Sequence, residues 1–172
     1  MTADRDYFLE EQRLRLALTL AREAAEAGEA PVGAVIFHRG QLVGKAANQR
    51  EQLQDPTAHA EIIAITQAAA ALGSWRLDDC EMYVTLEPCA MCAGAIILAR
   101  LPRLVFGAFD PKAGACGSVL NVVNCPALNH HPVVLGGILA NECGEVLREF
   151  FQAKRGARAI KNYKLKIKNC GV

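Results

Sequence analysis

Two short motifs constrain the fold of this chain more than any other feature of its sequence. One is His59-Ala60-Glu61 and the other is Pro88-Cys89-Ala90-Met91-Cys92, and each stands at the start of a predicted helix, directly after a strand or loop. Two Cys residues three positions apart in the first turn of a helix can converge on one ion. The free backbone N–H groups and the positive end of the helix dipole favour the thiolate form there. A fold that uses both motifs together brings two helix starts to one place.

The donor atoms of the two motifs suit zinc. Zn²⁺ accepts sulfur and nitrogen ligands tetrahedrally, and three protein ligands leave a fourth position for water, which is typical of catalytic sites. Binding lowers the pKa of that water to roughly 7, so hydroxide becomes available at neutral pH. The sequence therefore predicts one Zn²⁺ per chain held by His59, Cys89 and Cys92, with Glu61 as the catalytic residue that moves the protons.

Each part of these motifs has another explanation when it is taken alone. A single C-x-x-C in a cytosolic protein can be a redox motif or half of a zinc knuckle. A single His at a helix start is more often a cap or a packed core residue, and Glu61 could be a solvated acid that the helix dipole favours. The combination in this order, with Pro88 immediately before the first Cys, favours a catalytic zinc site.

The spacing of apolar residues and of turn residues predicts an α/β fold. The succession α-β-β-α-β-α-β-β-α indicates a mixed sheet of about five strands with helices on both faces, an αβα arrangement of three layers. The helices are predicted at 7–27, 59–72, 90–98 and about 139–151, and the strands at 32–37, 41–47, 82–86, 104–106 and 133–135.

Two segments carry further predictions. Residues 90–98 are apolar on nearly every face, so this helix is expected to be buried. The stretch 107–132 is rich in Gly, Asn and Pro. A loop of that length is uncommon unless it is functional or disordered, so it is a candidate for substrate contact.

Length and charge favour one domain with a basic end. The 172 residues suffice for one sizeable core and are too few for two ordinary domains, so we expect a single domain over 1–172, with a core at about 7–155 and a tail at about 156–172. The last 25 residues carry eight Lys or Arg and one Glu, whereas the rest of the chain is acidic. Such a tail is typical of polyanion-binding proteins, although charged C-termini are often only solvated.

Several classes of protein fit the composition poorly. No stretch approaches the ~20 apolar residues of a membrane span, and the N-terminus lacks the basic start and apolar run of a secretion signal, so a cytoplasmic location is expected. Seven Cys residues in a reducing compartment do not suggest a disulfide framework. Cys80 and Cys143 are expected in the core, and the lack of a second C-x-x-C argues against a second metal site.

The two motifs are also part of a longer pattern. H-x-E followed by P-C-x-x-C is the signature of zinc-dependent nucleobase deaminases, and around it the chain resembles the bacterial tRNA-specific adenosine deaminases over about residues 7–155. Beyond about Arg155 the resemblance is loose. The segments that carry it are Pro31-Val32-Gly33-Ala34-Val35, Asn48, Asp55 to Ile62, Tyr83 to Ala95, Phe106-Gly107-Ala108, Asp110-Pro111-Lys112, Gly117-Ser118, Asn129-His130, Gly137-Ile138-Leu139 and Phe150-Phe151.

The resemblance implies a homodimer with the cytidine-deaminase-like fold, converting adenosine to inosine at the wobble position of a tRNA anticodon, typically of an arginine tRNA. Neither DNA nor a membrane is expected as a partner. His130 is either a further substrate contact or, like His131, a surface or packing residue. By position in the family, the substrate-binding residues are Asn48 and the backbone of Ala60 at the flipped base, Asp110 and Lys112 at the anticodon nucleotides, and Phe151 and Arg155 in the RNA groove.

The expected mechanism follows from these parts. An anticodon loop is already largely unpaired, which lowers the cost of extruding a base, roughly a few kcal/mol. Glu61 takes a proton from the water, hydroxide attacks C6 of adenine, and Glu61 delivers the proton to N1 and later protonates the departing amine.

Other activities share the zinc motif. Small-molecule deaminases of guanine, cytosine or a nucleotide also carry H-x-E and P-C-x-x-C. Riboflavin-pathway deaminases space their second ligand pair more widely, and many nucleoside cytidine deaminases replace the His ligand with Cys, so both fit less well. A non-catalytic zinc-containing RNA-binding module would keep the ligands and lose the proton carrier, but Glu61 is present.

Overall fold

The computed structural model describes the backbone of residues 2–169 and the side chains of residues 7–157. The predicted layered arrangement around a mixed five-stranded sheet is confirmed. The helices are α1 (Thr2–Glu26), α2 (Arg50–Leu53), α3 (Ala60–Leu72), α4 (Ala90–Leu98) and α5 (Ala140–Asn169), and the strands are β1 (Gly33–His38), β2 (Gln41–Ala47), β3 (Cys80–Leu86), β4 (Arg103–Ala108) and β5 (Val133–Gly136).

The sheet has the strand order β2-β1-β3-β4-β5. β1 pairs antiparallel with both β2 and β3. The tight turn between β1 and β2 contains Arg39 and Gly40, both with positive φ, a conformation that costs Gly little. β3, β4 and β5 run parallel, and because parallel neighbours need a crossover connection, α4 returns the chain from the end of β3 to the start of β4.

One edge of the sheet gathers the segments that carry the two motifs. β3 and β4 both end there, with Leu86 paired to Ala108. The start of β1 and the end of β2 meet at the same edge, where Gly33 pairs with Ala47 and donates its N–H to the Thr85 hydroxyl at 3.1 Å. The segments that follow β2, β3 and β4 therefore leave from one edge, the usual position of ligand sites in open α/β sheets.

Different helices cover the two faces of the sheet. α1 and α5 pack on one face, and α3 and α4 pack on the other. Successive residues of a strand point to opposite faces, so in β1 Val35 and Phe37 join the core beneath α1 while Ala34 and Ile36 join the core beneath α3. Two apolar clusters thus hold α1 and α3 on opposite sides of β1.

Helix α4 corrects one prediction, because it is not buried on every side. Cys92, Ala93 and Ile96 lie in the core, but Met91 and Leu98 are exposed, Leu98 with 73% of its surface accessible. The sequence of a uniformly apolar helix does not tell whether its own chain covers all of its faces.

The remaining differences concern lengths. α1 begins at Thr2 rather than at residue 7, and a single turn, α2, interrupts the polar stretch predicted as a loop. α5 continues through most of the predicted tail to Asn169, since this stretch contains no Pro and is rich in residues that tolerate a helix. The side chains beyond residue 157 and the backbone of 170–172 lie outside the described residues. Among the described residues, no helix is both long and apolar enough to cross a bilayer.

Candidate metal centre and base pocket

Two helices begin at the residues predicted to bind metal. His59 is the N-cap of α3 and Cys89 is the N-cap of α4, both with extended backbone, and neither side chain caps its own helix. An N-cap side chain usually accepts a hydrogen bond from a free N–H of the first turn. Here the side chains of His59 and Cys89 are instead directed toward each other. Cys92 follows at the third helical position of α4, so both thiols lie at the positive end of one helix.

The three predicted ligands meet. One ligand atom from each of His59, Cys89 and Cys92 lies within 4.8 Å of the other two. Nδ1 of His59 is 3.5 Å from Sγ of Cys92 and 3.8 Å from Sγ of Cys89. A tetrahedral zinc with ordinary Zn–N and Zn–S bonds places such N and S ligands about 3.6 Å apart. The donor set and its spacing therefore fit Zn²⁺.

The protons of the cluster are shared unevenly between the two thiols. A hydrogen bond from Cys92, and a second one from His59, lower the pKa of Cys89 to about 3. The same hydrogen bond to Cys89, together with burial, raises the pKa of Cys92 far above its ordinary value. The hydrogen bond with Cys89 also raises the pKa of His59. One thiolate and the protons around it thus prepare the site for a cation, which displaces those protons when it binds.

Glu61 lies in the first turn of α3, directly behind the cluster. Its side chain is 4% exposed. Burial raises the pKa of this carboxyl, while the positive charge of His59 and a hydrogen bond from Cys92 act in the opposite direction. A carboxyl with a raised pKa beside a metal site can both accept and return a proton near neutral pH.

The residues predicted to bind the base lie beside the cluster. Asn48 follows β2 and is buried. Its neighbour Gln49 donates a backbone hydrogen bond to the carbonyl of Ala58 at 3.0 Å, immediately before His59. Ala60 is fully buried in the first turn of α3. The structure therefore brings Asn48 and Ala60 to the segment that carries the metal ligand and the proton carrier.

A buried acid that the sequence did not single out holds the long loop to this site. Glu87, 2% exposed, lies between β3 and Cys89. Its carboxylate accepts backbone hydrogen bonds from Asp110 at 3.0 Å, Cys116 at 2.9 Å and Ser118 at 3.0 Å, and another from the Ser118 hydroxyl. Burial alone would raise the pKa of Glu87, but these hydrogen bonds outweigh it and keep the pKa below its ordinary value.

The loop also touches the ligand segment through its backbone. The N–H of Ala115 donates to the carbonyl of Pro88 at 2.8 Å, and Gly114 forms an isolated β-bridge with Cys89. A Cβ on Gly114 would overlap the carboxylate of Glu87, so this approach requires Gly. The segment 110–118 is thus a fixed wall beside the metal ligands rather than a free loop.

The other predicted substrate contacts fall in three places. Asp110 and Lys112 lie at the start of that wall, where Asp110 accepts the N–H of Lys112 at 2.9 Å. Phe151 and Arg155 are exposed on α5, about 16 and 22 Å along the helix from its first residue. They do not contact the metal cluster.

His130 lies elsewhere. Its Nε2 is 2.7 Å from the carbonyl oxygen of Leu101, just before β4. This is the end of the sheet opposite to the metal ligands, because β4 and β5 both start there. The structure does not bring His130 to the base pocket, and its partner is a backbone group, as expected of a packing residue.

Comparison with known proteins agrees with this geometry. The model of the MafB19-like deaminase family matches residues 9–155. A tRNA-specific adenosine deaminase of Bacillus subtilis (strain 168) is 45% identical over 155 residues, which cover 90% of this chain and 92% of that protein.

Solved structures give the same result. A chain from a study of A-to-I editing by tRNA deaminases at the wobble position has a TM-score of 0.77 and 45% identity, covering 79% of this chain and 99% of its own. A guanine deaminase from Nitrosomonas europaea is more distant, with a TM-score of 0.69 and 27% identity over 81% of this chain and 83% of its own. The fold expected from the resemblance is confirmed. The chain belongs to the MafB19-like deaminase family, and it is also a relative, at about 45% identity over most of its length, of proteins named tRNA-specific adenosine deaminases.

Proposed function

We propose that this protein is a zinc-dependent hydrolase that converts adenosine to inosine at the wobble position of a tRNA anticodon. The observation that carries the proposal is the cluster of His59, Cys89 and Cys92 with the buried carboxyl of Glu61 behind it. The high identity to proteins named for this activity over nearly their whole length supports the choice of substrate.

The side chains divide the work of the reaction. His59, Cys89 and Cys92 would hold Zn²⁺, which supplies a Lewis acid that makes water acidic enough to act as a nucleophile. Glu61 accepts the proton of the attacking water and gives it to N1 of adenine. It then takes the proton of the hydroxyl group added at C6 and passes it to the amine, so that the C6–N bond breaks and ammonia leaves. The raised pKa that burial gives Glu61 suits these transfers.

The pocket accepts a base that has left its stack. Asn48 and the backbone of Ala60 bind its edge, while Asp110 and Lys112 on the wall 110–118 contact the neighbouring nucleotides. Phe151 and Arg155 on α5 contact the RNA more remotely, Phe151 through its exposed ring and Arg155 through its exposed positive charge. We infer that an arginine tRNA is the natural partner, on the family resemblance alone.

The exposed face of α4 supports a homodimer. Met91 and Leu98 lie on this face, and a Cβ at Gly94 between them would meet only open space. An apolar helix face with no charge on it is a typical interface. Leu98→Asp is expected to convert a dimer to a monomer, measured by light scattering after size exclusion, whereas Thr66→Asp on the exposed side of α3 is not.

One assay tests the activity and its main alternative. Purified protein is incubated with an arginine-tRNA anticodon stem-loop and, separately, with free guanine, cytosine and adenosine. We expect inosine in the stem-loop, and metal analysis of protein purified without chelator should find one zinc per chain. Ammonia released from guanine but not from RNA would instead favour the activity of the more distant structural relative.

A further inference from the structure

Glu29 is a further buried acid, and it is hydrogen-bonded to Asn48, the residue predicted to bind the base. It lies in the segment between α1 and β1, just after Gly28, and its side chain is 3% exposed. Its Oε2 accepts a hydrogen bond from Nδ2 of Asn48 at 3.0 Å, and its Oε1 accepts one from the backbone N–H of Gln52 at 2.7 Å. Both carboxylate oxygens are therefore used, one of them by a residue of the pocket.

The chemistry of the pair fixes the direction of the Asn48 amide. A side-chain amide can present either its oxygen or its nitrogen to a neighbour, and only its hydrogen bonds decide between the two. An ionised carboxylate only accepts hydrogen bonds. Glu29 therefore binds the amide nitrogen of Asn48, and the amide oxygen points away from Glu29.

The backbone keeps the amide in the pocket. Asn48 donates its N–H to the carbonyl of Val32 at 2.9 Å, and the next residue is bonded to Ala58, one position before the metal ligand His59. Among residues 7–157, no protein group donates to the side-chain oxygen of Asn48. That oxygen and the second amide N–H are therefore left for a ligand.

We propose that Glu29 is a positioning residue: it fixes the orientation of the Asn48 amide (the lock) and so determines which hydrogen-bond donors and acceptors of the base can pair with that amide. This rests on the proposed function, in which Asn48 contacts the base. A fixed carbonyl beside a fixed N–H matches a purine edge that offers an amine next to a ring nitrogen. With the amide reversed, the same position would present the opposite pattern.

The hydrogen bond from Gln52 makes the conservative substitution Glu29→Gln informative. The N-cap of α2, Gln49, makes no side-chain cap, and Glu29 accepts the N–H of the third helical residue in its place. Glu29→Gln leaves two donors, from Asn48 and Gln52, facing a side chain that has only one acceptor. Reversal of the Asn48 amide satisfies both, because its oxygen then accepts from the new amide.

The test is a double-mutant cycle on deamination of the anticodon stem-loop. Glu29→Gln is expected to lower kcat/KM about tenfold or more, the effect of one hydrogen bond to a charged group. In the Asn48→Ala background the same change is expected to have less than about a twofold effect, because the amide is gone. Equal losses in both backgrounds, or a Glu29→Gln enzyme within twofold of the wild type, would overturn the proposal.

A matched control separates positioning from stability. Glu10 is another buried acid, paired at 2.6 Å with Arg103 at the end of the sheet where β4 starts. Glu10→Gln is expected to lower the melting temperature without changing kcat/KM. A loss of kcat/KM there, as large as that of Glu29→Gln, would show that any buried acid has this effect and would refute the specific role.

A second measurement needs no RNA and no substitution of Glu29. In a ¹H–¹⁵N spectrum of the zinc-loaded wild type, the side-chain amide of Asn48, identified by its loss in Asn48→Ala, should show one proton shifted strongly downfield by the carboxylate. Two ordinary amide protons would refute the lock. A shifted proton in a protein that deaminates no tRNA would instead refute the proposed function and leave the lock intact.

Discussion

The metal cluster and the surface of α5 are held in opposite ways. His59 and Cys89 are fixed by the starts of two helices, and Glu61 and Glu87 are buried behind them with defined partners. Arg155 is exposed, like the helix surface around it. Bond-making chemistry requires positions correct to a fraction of an ångström, whereas attraction of a polyanion depends on charge at longer range. The effect of a substitution should therefore fall steeply from the cluster to α5.

Removal of the metal should give the largest effect. Chelation is expected to abolish deamination, and added zinc should restore it. The three ligands bind zinc in their deprotonated forms, and the pKa values of Cys92 and His59 are raised in the metal-free protein. Zinc binding therefore displaces protons from the ligands, and zinc affinity is expected to fall as the pH falls. Titration with a chromophoric chelator at several pH values measures this, and an affinity independent of pH would contradict it.

Glu61→Gln should have the second largest effect on activity. We expect kcat to fall about 10²–10⁴-fold, since an amide cannot accept and return the proton. Zinc content and melting temperature should stay close to the wild type because the ligands are unchanged. The control is Glu23→Gln, an exposed acid on α1, which should be silent. Turnover near the wild-type rate would show that another group carries the proton.

Glu87→Gln should have an intermediate effect on both activity and stability. Four donors converge on the carboxylate, and each donor left buried without an acceptor costs about 1–3 kcal/mol. Activity on RNA should fall because the wall 110–118 is released next to Cys89. Ser118→Ala, which removes only the hydroxyl, should have a smaller effect on both quantities. If the two variants have equal melting temperatures, the carboxylate is not the anchor.

Deletion of residues 157–172 should give the smallest effect on chemistry. It removes five basic residues, Arg158, Lys161, Lys164, Lys166 and Lys168. If they line the RNA path, affinity falls, and the slope of log affinity against log salt becomes shallower by up to ~0.7 per lost contact. Turnover at saturating RNA should hardly change. Replacing the same five residues with Gln is the control for length, and an unchanged slope in both variants would mean that this end is only solvated.

Local sequence was sufficient to predict the metal ligands, because each ligand lies in a short motif at the start of a helix. A Pro88 before the first Cys and a Gly73 after α3 define where helices begin and end. Once each motif lies at a helix start, few residues remain that could hold an ion. The parallel pairing of β3 with β4 then follows from the intervening α4.

The partners of buried acids could not be read in the same way. Glu29 and Glu87 each look like ordinary acids of a loop, and their roles depend on donors 19 to 31 residues away. The placement of His130 depends similarly on its contact with Leu101, 29 residues away. Such contacts are decided by the packing of loops on the sheet edge, which carries no periodic pattern.

The use of both N-cap positions for metal ligands has a consequence for engineering. Replacing an N-cap by Ser, Asp or Asn is a standard route to a more thermostable helix, with about 0.5–2 kcal/mol at stake. At residues 59 and 89 any such gain would remove a ligand. A stabilised variant that keeps its activity must therefore gain its stability at positions other than these two.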